Sequence, residues 1–236
     1  MTDAAHTPDD VTPVDAPAGA AGAVSAPTVS AEDLAAKLAA RLCHDFMSPA
    51  SGIVSGLDLL EDPSAKDMRD EAMNLIESSA RKLVDLLTFS RVAFGSYASA
   101  EVFDARELEG LAKGVFAHVR PELDWQVAEP QLPKSAARAL LNLLQIAAGA
   151  LATGGVARAT ATQVDGRYTV LVEAQHARVR MHPDVAAGLA GQPLSEGLAG
   201  RWVQAYYLNA LVSAAGGVVS AIPGEEKISF QAVLPA

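Results

Sequence analysis

His44-Asp45-Phe46-Met47-Ser48-Pro49 is the stretch on which the reading of this chain turns. Around it, Ala39, Leu42, Phe46, Pro49, Ile53, Gly56 and Leu60 recur at alternating steps of three and four. That spacing is the apolar seam of a helix packed in a bundle. Ser30-Ala31-Glu32-Asp33 supplies its start, a serine N-cap with an acidic residue at the third helical position. The helix is therefore predicted from residue 31 to about Leu60. At about 100° per residue, His44 falls roughly opposite the seam, beside Lys37, Ala40, Ser48, Ser51 and Ser55. The imidazole should project into water from a rim of small residues, where another protein's active site can approach the ring.

Imidazole suits covalent phosphoryl transfer, because a pKa near about 6.5 leaves a neutral nucleophile at cellular pH. Asp45 can hydrogen-bond a ring N–H, fix the tautomer and stabilise charge on the ring. Pro49 removes the N–H that would bond the carbonyl of Asp45 and crowds that carbonyl, so the helix is expected to kink just past the histidine. A lone surface histidine on a helix is ordinarily just solvated. The acidic neighbour and the proline set His44 apart. His6, His118, His176 and His182 have no metal-ligand spacing and read as surface residues. Cys43 adjoins His44, but adjacent helical side chains diverge, so the two do not read as a nucleophile–base pair.

Outward from this helix, Glu61-Asp62-Pro63-Ser64 reads as a turn, with Ser64 and Asp67 as caps for a second helix. Met68, Ala72, Leu75, Ile76, Leu83, Leu86, Leu87 and Phe89 give that helix an apolar face, and it should end near Gly95. Two long helices joined by a short turn form an antiparallel hairpin. One hairpin buries only one face of each helix, so a homodimer completing a four-helix bundle is expected, with Leu42, Phe46, Ile53 and Leu57 buried in it. From about residue 97 the pattern becomes mixed α/β. A strand is expected over 123–128, a helix over 135–151, and two strands over 156–163 and 167–173 around the Asp165-Gly166 turn. A helix over 198–214, ended by Gly216-Gly217, and strands over 218–222 and 228–234 close the chain. The fold class is thus α+β: residues 31–96 form the helical hairpin and 97–236 the α/β domain. Residues 1–30 are low in complexity, with four Asp and no Lys or Arg, and read as a disordered tail.

Composition narrows the function. Half of the 236 residues are apolar, enough for a core, yet no apolar run reaches membrane-spanning length. The acidic, Pro/Ala-rich start is not a secretory signal. One cysteine permits no internal disulfide, which fits a reducing, cytoplasmic setting. A net charge of −10 argues against nucleic acid as a partner.

His44-Asp45-Phe46-Met47-Ser48-Pro49 resembles the H-box of sensor histidine kinases, His-(Glu/Asp)-x-x-(Thr/Asn/Ser)-Pro. The remainder resembles the kinase ATP-binding domain, a Bergerat-like α/β sandwich, in its order of elements. Asn142-Leu143-Leu144-Gln145-Ile146-Ala147 aligns with the kinase N-box, and Ile146 stands where the family has its magnesium-holding Asn. Ala174-Gln175-His176-Ala177 stands where the adenine-reading Asp-x-Gly-x-Gly box should be. The phosphate loop survives only as Glu196-Gly197-Leu198-Ala199-Gly200. An intact histidine hairpin with a degenerate ATPase-like domain resembles the ChpT-type histidine phosphotransferases over about residues 31–236.

That resemblance implies a dimeric phosphorelay enzyme without autokinase activity. His44 would be the phosphoacceptor and Asp45 its acid–base or orienting partner. Phosphate would come from the receiver domain of a hybrid histidine kinase (CckA type) and pass to response regulators (CtrA and CpdR types). No cofactor is implied for this chain, since the partner receiver supplies magnesium. Lys37, Ala40, Arg41, Ser48 and Ser51 are candidates for receiver binding. Arg178 and Arg180 join them: two residues apart in an extended segment they share a face, and they would complement an acidic receiver site. Alternatively these two arginines simply solvate a loop. The competing reading of the whole chain is a non-catalytic dimeric scaffold that binds or sequesters receivers. An active kinase with unusual boxes is disfavoured by Ile146.

Overall fold

The computed structural model describes residues 29–95, 100–192 and 200–236. The tail read over 1–30 lies outside the described residues except for its last two. The boundary at 96/97 and the remnant Glu196-Gly197-Leu198-Ala199 lie outside them too.

Helix α1 runs Ala31–Glu61 without interruption through Pro49. It starts as its sequence dictates: Ser30 Oγ accepts the Asp33 N–H at 3.1 Å, and Glu32 and Asp33 sit in the positive first turn. The turn after it corrects one expectation. Ser64 caps nothing; its N–H and hydroxyl both donate to Asp62 Oδ1, at 2.8 and 2.6 Å. This local Asx-type turn captures the serine before a helix can use it. A 3-10 turn, Lys66–Met68, then leads into α2, Arg69–Ala93, which has no side-chain N-cap bond.

The two helices approach closely because small residues face each other. A Cβ at Gly56 would lie 2.6 Å from Ile76 Cγ1 and 2.9 Å from the Ala72 carbonyl; one at Gly52 would strike Ser79 Oγ. Pro49 and Gly56 are buried on α1, and Ala72 and Ser79 on α2. Leu42, Phe46 and Ile53 are half-buried and Leu57 is exposed. The hairpin also carries Met47, Val54, Met73, Val84 and Leu87 on its surface.

The α/β part comprises β1 (Val102–Asp104), α3 (Ala105–Phe116), β2 (Glu122–Trp125), β3 (Gln131–Pro133), α4 (Lys134–Ala150), β4 (Val156–Val164), β5 (Arg167–Gln175), α5 (Pro183–Leu189), α6 (Gly200–Ala214), β6 (Val218–Gly224) and β7 (Lys227–Pro235). The main sheet has the order β2-β4-β5-β7-β6, with only β2 and β4 parallel; β1 and β3 form a separate pair. Alternation along the strands sends Ala157, Ala159, Ala161, Val170, Val172, Ala174, Phe230, Ala232 and Leu234 to one buried face. The β4–β5 turn uses left-handed backbone at Asp165 and Gly166 (φ 49° and 72°), the geometry a two-residue hairpin needs. The helix over 198–214 is described from Gly200, and Gly216 at φ 73° ends it, with the Gly217 N–H on the Val212 carbonyl.

Helix α4 is buried nearly all round, not on one side alone, because it lies between the sheet and the helices α2 and α6. Phe89, Val92 and Ala93 of α2 belong to the same apolar cluster as Leu140, Leu144 and Phe230. The end of the hairpin is therefore part of the α/β core. The expected strand over 123–128 is shorter, Glu122–Trp125. Helices α3 and α5 and strands β1 and β3 were not expected as elements. Both helices carry local start signals. Asp104 Oδ1 accepts the Arg106 N–H at 2.8 Å with Glu107 three residues on, and His182 Nδ1 accepts the Asp184 N–H at 3.3 Å ahead of Pro183.

Candidate functional site

On α1 the His44 side chain is 89% exposed, as its position opposite the seam requires. Its Nδ1 lies 3.5 Å from Asp45 Oδ1, the outer limit of a hydrogen bond, and Asp45 Oδ2 lies 3.4 Å from Arg41 Nε one turn back. Arg41 also reaches off the hairpin: its Nη1 donates to the Gly200 carbonyl at the start of α6, at 2.5 Å. Burial pulls the Arg41 guanidinium below its ordinary pKa, and the Asp45 carboxylate opposes that shift.

This contact turns the helix surface into a groove. Lys37, Ala40, Arg41, His44 and Asp45 line one side, and Gly200, Arg201 and Val203 of α6 line the other, around about 500 Å³. Beyond Arg41 and Arg201, which line both spaces, is a larger cavity of about 630 Å³. Arg178, Arg180, His182, Gln145 and Thr153 stand around it, over an apolar lining that includes Ile146, Met181 and Phe230. Among the described residues lining that cavity there is no Asp or Glu.

The structure thus gathers Lys37, Ala40, Arg41, His44 and Asp45. Ser48 and Ser51 are exposed further along α1 and do not line the groove. Arg178 and Arg180 do share one surface, but it is the adjoining cavity; they follow β5, Arg178 in a turn and Arg180 in irregular backbone just beyond it. Arg201 is the residue that sequence reasoning missed. Nothing local marks it; only the packing of α6 against α1 brings it beside His44.

The kinase-like boxes are put to other uses. Asn142 is fully buried; its amide donates to the Ala93 carbonyl at 3.0 Å and the Arg138 carbonyl at 2.9 Å, and its oxygen accepts from Gln204 at 3.2 Å. Ile146 is buried and offers no oxygen to a metal, so the position does not fit magnesium. At the place of the adenine-reading box, His176 Nδ1 accepts the Arg178 N–H at 3.1 Å and closes a turn. His118 corrects its reading as a surface residue. It is only 21% exposed, with Nε2 2.7 Å from Asp85 Oδ2, and so ties the end of α3 to α2. Among the described residues no helix is long and apolar enough to cross a membrane.

The candidate site is thus an exposed histidine beside a carboxylate on a helical hairpin, backed by an α/β domain. The chain belongs to the histidine phosphotransferase family and is a protein phosphotransferase of the phosphorelay type: the family model of the histidine phosphotransferase C-terminal domain matches residues 105–227. It is 37% identical over 208 residues to the protein phosphotransferase ChpT of Brucella abortus (strain 2308), covering 87% of this chain and 97% of that protein. A solved bacterial phosphotransferase structure superposes with a TM-score of 0.79 at 33% identity, covering 87% of this chain and 98% of that one.

Proposed function

We propose that His44 accepts a phosphoryl group from the receiver-domain aspartate of a hybrid histidine kinase and passes it to response-regulator receivers. The observation that carries this reading is the 89% exposed imidazole at a groove whose other charged residues include Lys37, Arg41 and Arg201. With the Nδ1–H directed at Asp45, the lone pair lies on the outward Nε2. Nε2 attacks the acyl phosphate, the N–P bond forms as the aspartyl P–O bond breaks, and the receiver's carboxylate leaves. The reverse step delivers phosphate to the next receiver. Asp45 holds the ring and stabilises the positive charge it acquires. The protein's share is positioning and electrostatics, and the magnesium is the receiver's.

The docking surface is the basic groove, with Ser48 and Ser51 leaving α1 low enough for close approach and Arg178 and Arg180 extending positive charge toward an acidic receiver. Receivers of the CckA, CtrA and CpdR types are the expected partners. Residues 31–96 serve as dimerisation and phosphoacceptor unit, and 97–236 as a domain that does not use ATP. Two copies pair through the exposed apolar residues of the hairpin to complete a four-helix bundle. The setting is the cytoplasm, where the free, exposed Cys43 stays reduced.

The test is to incubate the protein with a phosphorylated receiver. Acid-labile label on His44 is expected, with none from magnesium and ATP alone. Receiver binding without label would instead favour the non-catalytic scaffold.

A further inference from the structure

The last turn of α2 ends where the chain leaves the hairpin, the natural place for a hinge between the two parts of the molecule. The final carbonyls of a helix have no partner within it. Here the α/β domain supplies the partners. Asn142 of α4 donates to the Ala93 carbonyl at 3.0 Å, and Arg138 Nη2 donates to the Phe94 carbonyl at 3.1 Å. Arg138 Nη2 also donates to the Tyr207 hydroxyl of α6. Tyr207 packs its ring 5.5 Å from that of Phe94 and lies under the Arg138 guanidinium at 5.8 Å. Gln204, one turn before, is tied to Asn142 and to Gln145. The exit from the hairpin is thus splinted by two helices of the other domain.

Stability alone is a poor account of Arg138. Its Nε is buried with no hydrogen-bond partner, and among the described residues no carboxylate pairs with it. Arg138 is half-buried, leaving a buried Nε–H unpaired costs stability, and the acceptors the group reaches, the Phe94 carbonyl and the Tyr207 hydroxyl, are neutral. What the arginine adds is direction: one group fixes a carbonyl of α2 and a hydroxyl of α6 at once. The groove beside His44 depends on that relation, since Lys37, Arg41 and His44 come from α1 whereas Gly200, Arg201 and Val203 come from α6. Tyr207 is two turns along the same helix from Arg201. A change of angle at the exit of α2 would carry Arg201 away from the histidine.

We propose that Arg138, Asn142 and Tyr207 are positioning residues of the transfer site: by clamping the end of α2 they hold the α6 side of the groove against His44. The inference rests on the relay reading of His44. The clamp touches neither the imidazole nor the groove, so it governs receiver docking and leaves the chemical step alone.

The experiment compares full-length parent protein with Arg138→Met/Tyr207→Phe in single-turnover transfer from a phosphorylated receiver, over a range of protein concentrations. The variant should raise the half-saturating concentration about tenfold and keep the maximal rate within about twofold, the pattern of lost binding and not lost chemistry. Arg138→Lys, which can still reach a carbonyl, should recover part of the loss. Amide exchange across residues 90–95 should quicken in the double variant and not in Arg138→Lys. Tyr207→Phe alone removes one hydroxyl and provides a mild variant should the double one unfold; it should shift half-saturation in the same direction. Half-saturation equal to the parent's in folded variants overturns the proposal, as does an equal fall in maximal rate. A parent that takes no label removes the relay reading and this proposal with it, whereas a labelled parent with indistinguishable variants removes only this one.

Discussion

His44 is a residue with almost no structural duty, and that makes its role separable from folding. Among the described residues its hydrogen-bond partner is Asp45, and its side chain is 89% exposed. His44→Ala should therefore abolish acceptance of label from a phosphorylated receiver while circular dichroism and thermal midpoint stay at parental values. Asp45→Ala should slow transfer by about 10²-fold or more through loss of ring orientation and charge stabilisation. A rate equal to the parent's would reduce Asp45 to a partner of Arg41. His118 shows the opposite case, a histidine whose duty is structural. Asp85→Ala should cost about 1–3 kcal/mol by stripping the part-buried imidazole of its carboxylate, read as a lower urea midpoint with no change in maximal transfer rate.

At the scale of elements, the approach of α1 and α2 depends on residues without side-chain bulk. A Cβ at Gly56 already meets Ile76 and the Ala72 carbonyl, so Gly56→Val should push the helices apart and cost about 1–3 kcal/mol. Chemical denaturation measures that directly. The α1 periodicity located Gly56 on the seam, but Gly52 carried no periodic signal, because a glycine reveals its role only when a neighbour is shown to occupy its missing side chain. Likewise the N-cap of α1 was legible because Ser30 and Asp33 act within one turn. The start of α2 was misread, because Ser64 had two local partners to choose from and the nearer carboxylate, Asp62, took it.

For the whole molecule, the exposed apolar residues of the hairpin and the arginines of the cavity make separate predictions. Val54 and Leu87 are 57% and 46% exposed in the single chain, so acidic replacements there do not disturb its own core. Val54→Glu/Leu87→Glu should convert a dimer to a folded monomer by multi-angle light scattering; a parent that is itself monomeric would remove the bundle. Reversing Arg178 and Arg180 to Glu should weaken receiver binding, most of all at low ionic strength, and leave the dimer intact. Equal affinity of parent and reversed protein across a salt series would confine these arginines to the cavity.

The amino-acid sequence by itself determined the features that depend on neighbours along the chain. These are the helix beginning at Ser30, the solvent-facing side of His44, the Asp165-Gly166 hairpin and the strands flanking it. Each follows from periodicity or from hydrogen bonds spanning a few residues. The tertiary structure decided what depends on residues far apart in the chain. It set Arg201 across from His44, separated Arg178 and Arg180 from that groove, and turned Asn142 toward the carbonyl of Ala93. Those outcomes depend on how α4 and α6 pack between sheet and hairpin, and packing is set by volumes and angles that no local pattern encodes.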